Sequence, residues 1–214
     1  MAGKAQSVVF DQASRPFALY LHWPFCRAKC PYCDFNSHVS NDVDSKIFGD
    51  ALCTEMTHMA SLMPSRPPLS SLFFGGGTPS LMPPILVERL IRHAEDLFGF
   101  TGDIEITAEA NPTSVEADAM LGFQKAGVNR VSMGVQSLDD ASLKFLGREH
   151  SAADALHALD KVKKAFDRVS IDLIYALPDQ SPKAWQDMLG QALSLGLGHL
   201  SLYQLTIEAG TILV

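Results

Sequence analysis

The chain has 214 residues, 47% apolar and 19% charged, with a net charge of -7. That is globular usage and excludes a disordered chain, while the acidic balance argues against a general nucleic-acid surface, which needs clustered Lys and Arg. No apolar run approaches the ~20 residues that span a bilayer, and the opening MAGKAQSVVFDQASRPF lacks a signal-peptide core, so a cytoplasmic protein with no transmembrane segment is expected.

Residues 1–16 read as an N-terminal extension and 17–214 as one core domain. The first strand is predicted over Ala18–His22 (ALYLH). Phe48, Leu52, Met56 and Met59 then recur at helical spacing, and the loop Pro64–Pro68 (PSRPP) leads to a second strand, Ser71–Phe74. Leu86, Leu90, Ala94 and Leu97 mark the next helix, followed by a third strand, Ile104–Ala108. Thr113 and Glu116 form a capping-box pair ahead of Met120 and Phe123. A fourth strand over Arg130–Val135 precedes a short helix opened by Ser137 with Asp140 and ended by Gly147. Ser151 with Asp154 opens another helix, carrying Ala155, Leu159, Val162 and Phe166. The fifth strand is Arg168–Ile174. Ser181 and Pro182 start the last helix, with Trp185, Leu189, Ala192 and Leu193 on its buried side. The sixth strand is His199–Leu205, and the chain stops at Thr211–Val214, which reads as a truncated chain or as one domain of a longer protein.

Six strands alternating with helices predict βαβ units, a parallel sheet and right-handed crossovers. No Gly-x-Gly-x-x-Gly turn follows the first strand, so the α/β class resolves to an incomplete (β/α)6 TIM-like barrel rather than a Rossmann sheet.

The first strand runs directly into His22-Trp-Pro-Phe-Cys26-Arg-Ala-Lys-Cys30-Pro-Tyr-Cys33. Three cysteines within eight residues of a chain this long are no disulfide framework, and their thiolates can wrap one metal centre. Barrel loops at the C-terminal ends of strands form the catalytic face. A 4Fe-4S cube held by three cysteines keeps one iron open for a small molecule, and Arg27 and Lys29 offset cluster charge. The alternative is a structural zinc knuckle with His22 or His38 as fourth ligand, although zinc loops favour paired Cys-x2-Cys. Cys53, on the first helix, reads as a small packed side chain.

Cys-x3-Cys-x2-Cys with an aromatic, Tyr32, before the last cysteine resembles the signature of the radical S-adenosylmethionine superfamily. The wider run LYLHWPFCRAKCPYCDFNSH resembles the subfamily of oxygen-independent coproporphyrinogen III oxidases and HemW-type heme chaperones. The resemblance covers about Phe17 to Thr211 and implies that Cys26, Cys30 and Cys33 ligate a 4Fe-4S cluster. It further implies that S-adenosylmethionine binds the open iron, and that reduction splits it to methionine and a 5′-deoxyadenosyl radical.

The other strand ends then take roles by the same resemblance. Gly76, Gly77 and Thr78 in Phe74-Gly-Gly-Gly-Thr-Pro meet the amino group of S-adenosylmethionine, although a glycine triplet alone is more often just a turn. Glu109 in Glu-Ala-Asn-Pro and Gln136 in Val-Gln-Ser contact the cofactor. Arg148 pairs with its carboxylate, and its bland alternative is a solvated charge past a helix end. Asp172, one acid inside the apolar fifth strand, contacts the ribose. Tyr20 packs near the methionine end and Tyr32 beside the cofactor; Tyr203 and Gln204 close the sixth strand.

The oxidases resemble the pattern Cys-x3-Cys-x2-Cys-x-Cys, whereas position 35 here is Phe. The run CDFNSH matches the chaperones. The resemblance thus implies heme or a related porphyrin as cargo, a heme-acceptor protein and an electron donor as partners. Coproporphyrinogen oxidation is the alternative.

Overall fold

The computed structural model describes residues 16–40 and 42–213. The N-terminal extension expected over 1–16 thus lies, except for Pro16, outside the described residues. Six parallel strands form one sheet in the order β1 (Phe17–Trp23), β4 (Leu69–Gly76), β5 (Phe100–Ala110), β6 (Arg130–Gln136), β7 (Arg168–Tyr175) and β8 (His199–Gln204). Between β1 and β4 lie two short strands, β2 (Phe25–Cys26) and β3 (His38–Val39), which pair with each other. Each long strand but the last is followed by helix: α1 (Ser45–Leu62), α2 (Pro84–Phe98), α3 (Ser114–Ala126), the pair α4 (Asp140–Phe145) and α5 (Ala152–Lys163), and α6 (Pro182–Ser194). This is the α/β architecture expected, an incomplete parallel barrel whose β1 and β8 edges are unpaired among the described residues.

The two faces of the sheet differ in chemistry. Leu21, Trp23, Leu72, Phe74, Ile106 and Met133 point to the helices and are buried in one core. The alternate residues form a polar inner face, as period-2 strands require. Arg130 bridges it, donating to Thr107 Oγ1 at 3.2 Å and Ser170 Oγ at 2.9 Å, with Glu105 at 3.6 Å. Ser132 donates to Asp172 at 3.1 Å. A polar lumen against an apolar outer layer points the sheet's chemistry inward.

Phe123 on α3 is fully buried in the apolar core. Phe123→Ala is expected to lower unfolding free energy by about 3–5 kcal/mol, read as an earlier urea midpoint with an unchanged slope.

Local differences from the expected elements have physical causes. Strand β5 starts at Phe100, four residues early, because Leu69 pairs with Phe100 while Ser71 pairs with Glu105. Thr101–Ile104 therefore sit in a bulge that a period-2 pattern cannot show. The cap of α4 is Asp139, whose carboxylate accepts from Ser142 N at 2.8 Å. Ser137 is instead buried and donates to Met188 Sδ. Thr113 caps α3 by accepting from Glu116 N, but the Glu116 side chain turns away from the cap, so the box is half made. The Ser151–Asp154 box is complete. On α6, Leu193 is exposed, and Met188 and Ala192 make the buried side.

Candidate functional site

The cysteine loop leaves β1 at Trp23 and is stitched to the glycine segment that ends β4. Gly77 N donates to Trp23 O at 2.7 Å and Thr78 N to Phe25 O at 2.9 Å. The β2–β3 ladder closes the loop on itself: His38 N donates to Pro24 O and Ser40 N to Cys26 O. Inside it, Cys33 N donates to Cys30 O at 3.0 Å, a tight turn that brings the last two thiols round. His22 is engaged with the Asn36 carbonyl through Nε2 at 2.9 Å, and His38 is exposed. All four cysteines are free thiols, Cys26 buried and Cys30 and Cys33 half-buried.

A cavity of about 290 Å³ opens beside this loop, at the C-terminal ends of the strands. Its walls bring together Cys26, Cys30, Tyr32 and Cys33 from the loop, and Gly76, Gly77 and Thr78 from the end of β4. Glu109, Gln136, Arg148 and Asp172 join them from four later segments. Residues more than 140 positions apart in sequence thus share one wall. Tyr20 lies outside that lining: it is 55% exposed and stacks on Phe73 at 5.8 Å. The lining also holds Asn111 and Tyr203.

Backbone conformation at two of these positions is special. Gly76 has φ +121°, and a Cβ there would stand 2.8 Å from the His22 ring. Gln136 is a non-glycine at φ 66°, a left-handed conformation that costs about 1–3 kcal/mol and turns the chain at the end of β6. At Gly77 a Cβ would meet Phe25 O at 2.8 Å and Cys26 Sγ at 2.9 Å, so the backbone itself forms the cavity wall next to the thiols.

The electrostatics are divided. Glu109 accepts from Gly76 N at 3.2 Å; burial pushes its carboxyl up to about 7, with Asp172 adding to the rise and the Gly76 bond opposing it. Burial also raises Asp172, against hydrogen bonds from Ser201 and Ser132. On the opposite wall, Arg148 Nη1 donates to Cys30 Sγ at 3.1 Å, and Nη2 donates to Asn111 Oδ1 and to Gly134 O at 3.3 Å. Its Nε is buried with no hydrogen-bond partner among the described residues. A buried guanidinium N–H without an acceptor is costly, and a carboxylate is the group its fork fits best.

Among the described residues, no three His, Cys, Asp or Glu side chains converge as ligands of one metal ion must. In an iron–sulfur cube each cysteine binds a different iron, so three thiolates spread around a loop fit that centre without converging. The donor set, three free thiols beside a glycine-walled cavity and an unsatisfied guanidinium, fits a thiolate-held cluster with a small zwitterion beside it.

The family model of the radical SAM superfamily matches residues 20–192. The chain belongs to the radical SAM superfamily. The cofactors of that superfamily, a 4Fe-4S cluster and S-adenosylmethionine, are thus the cofactors of this fold. Within the superfamily the chain is similar to the heme chaperone HemW of Escherichia coli, at 41% identity over 199 residues, covering 92% of this chain and 52% of that protein. It is also similar to the mitochondrial radical S-adenosyl methionine domain-containing protein 1 of Mus musculus, at 44% identity, with 94% and 46% covered. Among solved structures, the radical SAM enzyme coproporphyrinogen III oxidase (HemN) of Escherichia coli matches with a TM-score of 0.78 at 32% identity. That match covers 90% of this chain and 44% of the oxidase. The chain spans about half the length of the curated relatives it matches. An anSMEcpe structure with bound AdoMet shares the fold, with a TM-score of 0.64 at 14% identity.

Proposed function

We propose that this chain is the radical SAM core of a heme chaperone, which holds its cluster on Cys26, Cys30 and Cys33 and receives heme at the rim of the same cavity. The observation that carries the heme reading is Phe35. Where the oxidase pattern has a fourth cysteine, an aromatic ring stands at the cavity mouth, 62% exposed. Tyr203, on the same lining, is 55% exposed. Two exposed rings at one cavity mouth suit stacking of a flat macrocycle better than solvation. Similarity to proteins named heme chaperones supports the same reading.

When bound, the cluster supplies one electron to the sulfonium of S-adenosylmethionine. This chain's residues supply position and charge. Arg148 would set its guanidinium toward the methionine carboxylate, while Gly76, Gly77 and Thr78 would line the space for the amino group. Asp172 would contact the ribose and Glu109 either the ribose or the methionine part, with Gln136 and Tyr32 on the same lining. Tyr20 approaches only through its neighbour Glu109, which contributes to the rise of its phenol after burial itself. Free thiols call for a reducing compartment, a cytoplasmic one in this reading. No helix among the described residues is long and apolar enough to cross a membrane. A heme-acceptor protein and an electron donor complete the cycle.

Glu109 makes cofactor binding pH-dependent. Below about pH 7 its carboxyl is protonated in the folded chain, and a sulfonium cation favours the ionised form, so binding must expel a proton. Affinity for S-adenosylmethionine is therefore expected to rise up to about tenfold per pH unit below pH 7 and to level off above it. Glu109→Gln flattens the profile, measurable by isothermal titration calorimetry of the anaerobically reconstituted chain.

A second reading, oxidation of coproporphyrinogen III, is favoured by the TM-score of 0.78 to the oxidase. Heme titration and product analysis separate the two. The chaperone reading expects a heme absorbance band that saturates at equimolar ligand, weakened about three- to tenfold by Phe35→Ser through lost stacking, and no porphyrinogen product. Turnover of coproporphyrinogen III without heme uptake would reverse the assignment.

A further inference from the structure

Glu116 sits in the first turn of α3, outside the cavity, and is only 6% exposed. No cation among the described residues pairs with it. Its carboxylate is instead filled with hydrogen bonds from neutral donors: Ser80 Oγ, Asn111 N at 2.7 Å and Asn111 Nδ2 at 3.2 Å. A buried carboxylate is expensive to keep, and a helix-capping role does not account for it, because its side chain ignores the cap. What it does fix is the Asn111 amide. An ionised carboxylate only accepts, so it draws Nδ2 to itself and turns Oδ1 toward Arg148. Arg148 Nη2 donates to that Oδ1, and the same guanidinium places Nη1 3.1 Å from Cys30 Sγ.

We propose that Glu116 is a positioning residue that acts through Asn111 to hold the Arg148 guanidinium against the Cys30 sulfur. The proposal rests on the reading that Cys30 ligates the cluster. An N–H donated to a ligating thiolate stabilises the more negative, reduced cluster, so the relay raises the reduction potential of the centre.

The amide logic supplies the test. In Glu116→Gln one carboxylate oxygen becomes an NH2. The backbone N–H of Asn111 cannot turn away, so the remaining oxygen stays on it and on Ser80, and the NH2 faces Asn111 Nδ2; donor then meets donor and flips Asn111, which turns its own NH2 on Arg148. Adding Asn111→Asp restores complementarity, because the new amide at position 116 can donate to the new carboxylate at position 111, whose second oxygen still accepts from Arg148. The anaerobically reconstituted chain and both variants are compared by EPR-monitored redox titration and by S-adenosylmethionine titration. Glu116→Gln is expected to keep its iron, shift the midpoint potential negative and bind S-adenosylmethionine about tenfold more weakly. The double variant Glu116→Gln with Asn111→Asp is expected to recover both. Should Glu116→Gln fail to fold, Asn111→Ala, which leaves the Glu116 bonds to Ser80 and to the backbone N–H of position 111 in place, carries the same expectation. A variant that loses thermal stability but keeps the wild-type potential and affinity overturns the relay, as does a double variant that recovers neither. A wild-type chain that takes up no iron fails at an earlier point, the thiolate reading itself, and brings the relay down with it.

Discussion

Replacing Cys26, Cys30 or Cys33 singly by serine is expected to abolish the 4Fe-4S cluster, whereas Cys53→Ser keeps it. The contrast follows from placement. The three loop thiols share one cavity wall at the strand ends, while Cys53 lies on α1 and is absent from that wall. A hydroxyl is a poor ligand for the soft iron–sulfur core, and a cube left with two thiolates has two open corners. The fold is expected to persist in all four variants, because the sheet and its apolar layer are built from β1 and β4–β8 rather than from the loop. Iron and sulfide content after anaerobic reconstitution, with the broad charge-transfer absorbance near ~400 nm, reads the difference. Retention of a full cluster by any of the three loop variants would place the centre elsewhere.

Gly77→Ala should cripple cofactor binding without unfolding the chain. The new methyl would lie 2.8 Å from Phe25 O and 2.9 Å from Cys26 Sγ, and the first of these is backbone that cannot swing aside. Phe25 O is already held by Thr78 N at 2.9 Å, so relief requires moving the glycine segment away from the cysteine loop. Overpacking of this kind costs about 1–3 kcal/mol, which corresponds to roughly a five- to 150-fold weaker affinity if borne by binding. Gly190→Ala is the control. A methyl there enters open space on α6, and the change should be neutral to slightly stabilising through helix propensity. Equilibrium titration with S-adenosylmethionine and a urea melt on each variant separate the two losses; equal affinity in Gly77→Ala and wild type would remove the glycine wall from the binding site.

Sequence patterning reaches the architecture because burial on one face of a parallel strand writes itself in apolar residues. Leu72, Phe74, Ile171 and Leu173 mark β4 and β7 without any structure. It reaches less far wherever a residue's role depends on a partner distant in the chain. Glu116 is legible as a capping-box glutamate, yet its side chain serves Asn111 and Ser80, and only the fold brings Ser80 within reach. A buried acid without a cation is the signal, and burial cannot be read from an isolated position. The two-residue strands β2 and β3 carry no periodicity, although their pairing shapes the cysteine loop. Tyr20 belongs to the inner face by alternation, but its distance along β1 leaves it beside Phe73 rather than on the cavity wall. Leu193 satisfies helical spacing and remains 65% exposed, because period alone cannot say how far a neighbouring layer extends.

The polar inner face ties these features to function. Thr107, Arg130, Ser132 and Ser170 direct their hydrogen bonds to one another and to Glu105 and Asp172, so these polar groups of the inner face are satisfied. Among the described residues three buried side-chain groups lack a partner, Trp23 Nε1, Thr101 Oγ1 and Arg148 Nε, and the last belongs to the guanidinium whose Nη1 donates to Cys30 Sγ. Of the three, Arg148 is the one on the cavity wall with the loop thiols.

The decisive measurement is low-temperature EPR of the dithionite-reduced, reconstituted chain before and after addition of S-adenosylmethionine. Coordination at an iron that no cysteine occupies predicts a changed g-tensor on addition, lost in Arg148→Ala at the same concentration. An iron–sulfur signal indifferent to S-adenosylmethionine would mean that Cys26, Cys30 and Cys33 hold a closed centre and that the cavity beside them does not bring the cofactor to an open iron.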